Sequence, residues 1–183
     1  MIRKGDKLQN PITGETLIFH RTSRETGGEA VLVETIVRPD GFVAAAHVHP
    51  RQSERFEVLE GVLGVRVGDR EVLLNPGEVA TVEPGTPHRF WNAGAGKARF
   101  LCEVRPALEF ESLIETMFTL AAEGKTNRKG MPNPLRLAVI ARRHFETVRL
   151  PFPPAWLQRA ALAVGASLGR ALGYQPSVAG AAA

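Results

Sequence analysis

The chain has 183 residues, of which 44% are hydrophobic and 23% are charged. This balance is ordinary for a soluble globular protein with one well-buried core, and it excludes an intrinsically disordered chain. No apolar run follows the N-terminus and no stretch is long enough to span a bilayer, so we expect a cytoplasmic protein. Cys102 is the single cysteine, which excludes an intrachain disulfide.

The net charge of +4 hides an uneven distribution of charge along the chain. Residues 1–124 hold 14 Lys/Arg and 18 Asp/Glu, a net charge of −4, whereas residues 125–183 hold 9 Lys/Arg and only Glu146, a net charge of +8. The basic residues are scattered and no nucleic-acid motif accompanies them. We therefore interpret the basic tail as a solvated face, or as one that docks on the acidic part, and expect no nucleic-acid partner.

Short apolar runs separated by turn residues fill the first hundred positions. We predict strands at residues 15–22, 30–38, 62–67, 71–74 and 78–82, followed by a further short strand that begins near His88. Gly68-Asp69 joins the third and fourth runs as a hairpin. This pattern predicts an all-β sandwich or barrel with antiparallel pairing.

Three histidines and one glutamate in this region form a candidate metal site. His47 and His49 are two positions apart, so their side chains share one face of a β-strand. Pro50 and the polar residues after it let the chain turn and bring Glu54 back, and His88 lies at the start of another strand. Taken alone, such a histidine pair is more often a surface or packed pair. Together, the nitrogen and oxygen donors suit one divalent ion of Fe, Mn, Zn, Ni or Cu.

The spacing of these residues resembles the two sequence motifs of the cupin superfamily. The first motif, G-x5-H-x-H-x3-4-E-x6-G, is filled at every specified position, by Gly41, His47, His49, Glu54 and Gly61. The second motif, G-x5-P-x-G-x2-H-x3-N, is filled by Gly77, Gly85, His88 and Asn92. One position departs, because Glu83 stands where the family usually has proline.

This resemblance implies a fold, a ligand set and a partner class. The fold would be mainly β, an antiparallel double-stranded β-helix (jelly-roll) barrel of the single-domain cupin 2 type, over residues 1–106. His47, His49, Glu54 and His88 would bind one divalent transition metal. The partner would be a small-molecule substrate or ligand. Homodimers are common in the family, and without a second subunit the outward apolar residues Leu59, Leu73 and Leu101 would be exposed.

Alternation along the strands predicts an apolar cup around the metal. Most of its members are ordinary core residues, and a few near the mouth also line the substrate pocket. Cys102 lies on this apolar face, where a buried thiol behaves as a small hydrophobe. The predicted lining consists of Ala45, Phe56, Val58, Leu63, Val65, Phe90, Asn92, Phe100 and Cys102.

The hydrophobic period becomes helical after Pro106. We predict about three helices in an extension over residues 107–183, at residues 108–120, 135–148 and 154–173, with the first stopped by Gly124. The third helix has a stripe that we expect to be buried on the barrel or on a partner subunit. The alternative is an anionic membrane surface, because Arg159 and Arg170 flank the stripe. The stripe consists of Trp156, Leu157, Ala160, Ala161, Val164, Leu168 and Leu172.

Two functions remain open from the sequence, because a cupin fold alone does not name a reaction. The first is a metal-dependent small-molecule enzyme, which the resemblance suggests is a quercetinase-like dioxygenase, with an isomerase as the nearest variant. No distinctive set of catalytic side chains accompanies the ligands, and Arg66 and Tyr174 are candidates by residue type only. The second is a non-catalytic metal-binding or small-molecule-binding sensory module whose helices form an interface.

Overall fold

The structure is a computed structural model and describes residues 1–43 and 45–178. The described residues form nine strands followed by three helices. The strands are β1 (Lys7–Asn10), β2 (Glu15–Arg21), β3 (Val31–Val37), β4 (Ser53–Glu60), β5 (Leu63–Val67), β6 (Arg70–Leu74), β7 (Val79–Val82), β8 (His88–Asn92) and β9 (Ala98–Arg105). The helices are α1 (Phe110–Ala122), α2 (Pro134–Arg143) and α3 (Ala155–Ala171). None of these helices is long and apolar enough to cross a membrane.

The strands pair antiparallel in two sheets that enclose one core. Within the described residues, one sheet has the order β1-β2-β3-β9-β4-β7 and the other the order β6-β5-β8. Phe56 and Phe100 of the first sheet and Leu63 and Val65 of the second are fully buried in the same cluster. The predicted mainly-β fold with C-terminal helices is therefore confirmed, including the hairpin of β5 and β6.

The segment that carries His47 and His49 is not the regular strand that we predicted. His47 forms an isolated bridge with His88 of β8, whereas its neighbour Val48 forms one with Arg149, far along the chain. Both bridges have paired backbone hydrogen bonds of 2.9 and 3.0 Å. Because consecutive residues pair with different partners, no ladder extends along this segment.

The first two helices build outward from the barrel. Ala107, Phe110 and Phe118 belong to the barrel's own core cluster. Leu113 and Leu120 of α1 then pack with Ile140 of α2. Helix α2 ends at Arg143 and not near residue 148 as predicted, because the chain after it turns back to pair Arg149 with Val48.

Helix α3 packs with a different face from the one that we predicted. The buried residues of α3 are Gln158, Ala166 and Gly169, and the helix approaches α2 at Gly165 and Gly169. A Cβ atom on Gly169 would come within 2.5 Å of the Leu135 carbonyl oxygen. The close approach of the two backbones therefore selects small residues, and the predicted stripe of larger apolar side chains is left exposed.

A buried carboxyl on β2 makes the stability of the barrel depend on pH. Glu15 is 7% exposed and accepts a 2.6 Å hydrogen bond from the Thr13 hydroxyl. Burial raises the pKa of Glu15 from 4.5 to about 7, although the bond from Thr13 opposes this shift. Between these two values the folded state holds a proton that the unfolded state has lost, so the free energy of unfolding falls as the pH rises through this window.

We expect that in Glu15→Gln the free energy of unfolding no longer falls as the pH rises through this window, since glutamine keeps an acceptor for Thr13 without a charge. Above pH 7 the variant should be more stable than wild type by up to about 3 kcal/mol, and below pH 4.5 the difference should vanish. Urea unfolding at a series of pH values measures this difference. Glu60→Gln, at an exposed ion pair with Lys97, is the control. Parallel pH profiles for Glu15→Gln and wild type would contradict the assignment.

Candidate metal centre

Four side chains that are distant in sequence meet inside the barrel. One donor atom from each of His47, His49, Glu54 and His88 lies within 4.8 Å of every other. The ring centroid of His47 lies 4.9 Å from that of His49 and 4.3 Å from that of His88. The two oxygens of Glu54 lie 3.5 Å from Nε2 of His49 and 2.7 Å from Nε2 of His88. The structure thus brings together all four residues that we predicted as ligands.

The barrel holds these residues from several directions. Glu54 lies near the start of β4, between Val82 of β7 and Val104 of β9. His88 is the first residue of β8, and its backbone pairs with that of His47. The Gly85 amide donates a 2.8 Å hydrogen bond to the carbonyl of His49, which ties the turn before His88 to the same segment. The two sequence motifs are therefore joined by backbone bonds at the site itself.

The hydrogen bonds at Nδ1 define the tautomer of each imidazole. Nδ1 of His47 lies 2.9 Å from the Ala45 carbonyl oxygen, and Nδ1 of His88 lies 2.9 Å from that of Thr86. Nδ1 of His49 lies 2.6 Å from the Thr147 carbonyl oxygen. Because a carbonyl oxygen only accepts, each Nδ1 is the donor, and in the neutral ring Nε2 then carries the lone pair.

The Nε2 atoms of His49 and His88 are buried and form no hydrogen bond in the described part of the chain. Nε2 of His88 lies 2.7 Å from Glu54, but the two groups are not aligned for a hydrogen bond. Buried polar atoms without a partner are costly, and their presence beside a carboxylate points to a missing ligand. Nitrogen and oxygen donors of this kind, with each Nδ1 held by an outer acceptor, fit a divalent transition metal.

The charges of the cluster are strongly coupled. Burial acts to raise the pKa of Glu54. The three neighbouring imidazoles lower it by more than burial raises it, and the resulting pKa is about 2. Burial lowers the pKa of His47 to about 3, together with the charges of His49 and His88. Burial also lowers the pKa of His88, but the adjacent Glu54 carboxylate outweighs it and raises the net value. A metal that binds Nε2 of His88 therefore competes with a proton for that atom, since only the neutral imidazole is a ligand.

Cys102 lies beside the cluster as a protonated thiol. It is 6% exposed, and its Sγ donates to Oε1 of Glu54 over 3.8 Å. Burial raises the pKa of Cys102 well above 9.0, and the negative charge of Glu54 raises it further. The thiol is therefore a packing residue with a weak hydrogen bond and not an activated nucleophile.

Most of the predicted pocket lining lies in the core. Phe56, Val58, Leu63, Val65, Phe100 and Cys102 are buried members of the main cluster, and the partly buried Phe90 packs against them. Ala45 is partly buried beside the histidines. The Asn92 amide donates to the carbonyls of Val37 and Gly96, so its side chain closes a turn. Contact of any of these residues with a ligand stays a prediction.

Sequence reasoning missed the residues that orient His49. Nδ1 of His49 also lies 3.1 Å from Oε1 of Gln52, whose amide nitrogen donates to the carbonyls of Pro106 and Ala107. Gln52 is 1% exposed, although it lies in a polar run of the sequence. The second acceptor, the backbone carbonyl of Thr147, comes from the chain just after α2 and carries no side-chain signal.

We expect Gln52→Leu to weaken metal binding about tenfold, because His49 loses one of two acceptors that orient its ring. Competition with a chromogenic chelator measures the dissociation constant. The matched control is Gln158→Leu, which removes another buried amide that donates to two carbonyls, those of Leu150 and Pro153, away from the site. Equal affinities in wild type and Gln52→Leu would show that Thr147 alone orients His49.

Comparison with known proteins matches part of the chain to a described family. Residues 33–104 match the family described as "Cupin domain". A protein named oxidoreductase from Arthrobotrys oligospora is 34% identical over 102 residues, which cover 49% of this chain. The match spans only 40% of that protein's own length.

Solved structures share the fold. An RmlC-like cupin from Shewanella frigidimarina superposes with a TM-score of 0.51 at 18% identity, over 59% of this chain and 89% of its own. A predicted oxalate decarboxylase from Thermotoga maritima superposes with a TM-score of 0.50 at 18% identity, over 58% of this chain and 98% of its own. At this identity the likeness concerns the fold alone. The family match over residues 33–104 and the fold of these structures together support a cupin superfamily domain in this part of the chain.

Proposed function

We propose that the protein is a metal-dependent enzyme that acts on a small molecule, with dioxygenase-like chemistry. The observation that carries this proposal is the convergence of three imidazoles and one carboxylate, with each Nδ1 already used as a donor. His47, His49, Glu54 and His88 would hold one divalent Fe, Mn, Zn, Ni or Cu ion. When bound, such an ion supplies Lewis acidity or a centre for oxygen activation.

The residues of the chain have separate roles in this proposal. The outer carbonyls and Gln52 keep the imidazole rings oriented, and Glu54 supplies the negative charge that offsets the ion. The relative named as an oxidoreductase supports the class of reaction, although the match covers less than half of that protein.

Oxygen consumption by the reconstituted protein tests the proposal. Protein loaded separately with each candidate metal is mixed with flavonols, catechols or diketones, and dissolved oxygen is followed with an electrode. We expect substrate-dependent consumption with at least one metal and its loss in His88→Ala. Consumption that is equal in His88→Ala and wild type would contradict a role for the site.

A non-catalytic binding or sensory module is the second candidate function. The observation that favours it is the helical extension, which adds an exposed apolar surface on α3 and contacts His49 through Thr147. Metal-loaded protein that binds a compound of the panel in calorimetry, but neither consumes oxygen nor isomerises it, would select this function.

We also propose that the protein is a homodimer formed through the barrel. Leu73 and Leu59 are 61% and 36% exposed, and the outer residues of β6 are exposed along most of this edge strand. An open apolar edge of this kind is commonly covered by a second subunit. Light scattering should give about 40 kDa, twice the chain mass of 19.9 kDa, and Leu73→Glu should lower it. A mass of about 20 kDa at micromolar concentration would contradict the dimer.

A further inference from the structure

Helix α3 presents an apolar face to solvent. Phe152, just before the helix, is 78% exposed. Trp156, Val164 and Leu168 on the helix, and Leu172 at its C-cap, are between 55% and 71% exposed. Leu157 is 42% exposed beside them. These six residues, called the α3 apolar face below, line one side of the helix and the loop that leads into it. A contiguous apolar surface of this kind marks an interaction site.

The contacts on the opposite side of α3 fix this orientation. Ala166 is fully buried, and a Cβ atom on Gly169 would lie 2.6 Å from Cγ2 of Val139. The amide of Gln158 donates to the carbonyls of Leu150 and Pro153, at 2.9 and 2.5 Å. A rotation of the helix that buried the apolar face would force these small residues apart from α2 and break both hydrogen bonds. The exposed side is therefore the side that remains open to a partner.

Arginines border this face along one edge. Arg159 and Arg170 lie on the same side of α3, eleven residues apart, and Arg142 of α2 donates to the Ala163 carbonyl beside them. Arg159 and Arg149 both lie over the ring of Phe145, at 4.5 and 5.6 Å from its centroid. From residue 134 to residue 178 the chain has six arginines and one glutamate, Glu146, which pairs with Arg159.

This charge pattern discriminates between the possible occupants. Two copies that pair through the same face would bring the two rows of arginines together, and α3 contains no carboxylate to offset them. An anionic lipid surface supplies the missing negative charge and accepts the apolar side chains at the same time. Arginine side chains suit this position because their stems lie along apolar surface while the guanidinium reaches the headgroups.

We propose that the α3 apolar face binds reversibly to the surface of anionic bilayers. In this arrangement α3 lies in the plane of the interface, with Trp156 and Phe152 inserted at its N-terminal end and the arginines at the level of the headgroups. The contact is peripheral. It does not depend on the metal site, so the proposed enzymatic function can fail without affecting it.

Co-sedimentation of the full-length protein with vesicles tests this proposal. We expect binding to vesicles of phosphatidylcholine with 30% phosphatidylglycerol, at least about tenfold tighter than to phosphatidylcholine alone. The double variant Arg159→Gln with Arg170→Gln should bind anionic vesicles more weakly, by about fivefold for each arginine removed. Added salt should also weaken this binding. Trp156 fluorescence should shift to the blue on binding, and a Trp156→Phe variant separates this signal from that of Trp91.

Substitutions of exposed residues separate the face from the rest of the surface. Val164→Glu with Leu168→Glu should reduce binding at least about tenfold, because both residues enter the interface. Val79→Glu, at a 43% exposed position on the barrel, is the matched control and should bind like wild type. Circular dichroism confirms that each variant is folded.

Two results would overturn the proposal. The first is wild-type protein that stays in the supernatant with anionic vesicles at low salt, or binding that Val79→Glu lowers as much as the double variant. The second is a wild-type protein that is oligomeric and binds no vesicles, and whose oligomer dissociates in the double variant Val164→Glu with Leu168→Glu. That result would assign the face to a second copy of the chain.

Discussion

Replacing His88 by alanine is expected to lower metal affinity by more than about a hundredfold, since the loss of a direct ligand exceeds the usual effect of an outer one. Nε2 of His88 is buried and lies 2.7 Å from Glu54, so the substitution also leaves that carboxylate without its nearest partner. Titration with each metal, followed by chelator competition, measures the change.

His20→Ala is the control for this substitution. His20 pairs with Glu34 at 2.8 Å on the outside of the barrel, away from the cluster. The control should bind metal as wild type does. Unchanged affinity in a folded His88→Ala protein would remove His88 from the ligand set.

Replacing Phe100 by alanine is expected to destabilise the protein by about 3 to 5 kcal/mol. Phe100 is fully buried, and its ring centroid lies 5.8 Å from that of Phe56 and 5.3 Å from that of Phe90. The cavity would remove contacts from both neighbours. Because Phe56 follows Glu54 by two residues and Phe90 follows His88 by two, the ligands should also lose support.

Urea unfolding measures this loss, with Phe152→Ala as the matched control. Phe152 is 78% exposed, so its truncation should change the free energy of unfolding by less than about 0.5 kcal/mol. Similar effects of the two substitutions would contradict the packing of the aromatic cluster.

The barrel and the candidate ligands could be predicted from the sequence because their signals are local. Turn residues delimit the strands, and the spacing of His47, His49, Glu54 and His88 does not depend on how distant segments pack. The segment around His47 is not a regular strand, yet the four side chains still lie together. Backbone hydrogen bonds between His47 and His88 hold this segment in place. The role of the four side chains as ligands stays a prediction.

The packing of α3 could not be predicted in the same way. We predicted burial of Trp156, Leu168 and the other large apolar residues, but the contact with α2 uses Gly165 and Gly169. Whether a helix packs through large or small side chains depends on how closely the two backbones approach, which the pattern of one helix does not encode. The exposed stripe is thus a property of the assembled fold.

The outer partners of His49 were also beyond sequence reasoning. The sequence around Gln52 indicates an exposed polar turn. In the structure its amide donates to the carbonyls of Pro106 and Ala107, which lie far along the chain. Thr147 acts through a backbone oxygen, and a backbone oxygen has no residue preference. Its position depends on the pairing of Val48 with Arg149, a contact between segments about a hundred residues apart.

The metal content of the wild-type protein tests the central claim most directly. Protein produced without a histidine tag, reconstituted with each candidate metal at pH 8 and dialysed, is measured by elemental analysis against protein concentration. We expect about one tightly held transition-metal ion per chain, and less metal retained as the pH falls, because protons then compete with the ion for the imidazole nitrogens. A folded protein that retains no transition metal under any of these conditions would contradict the metal centre.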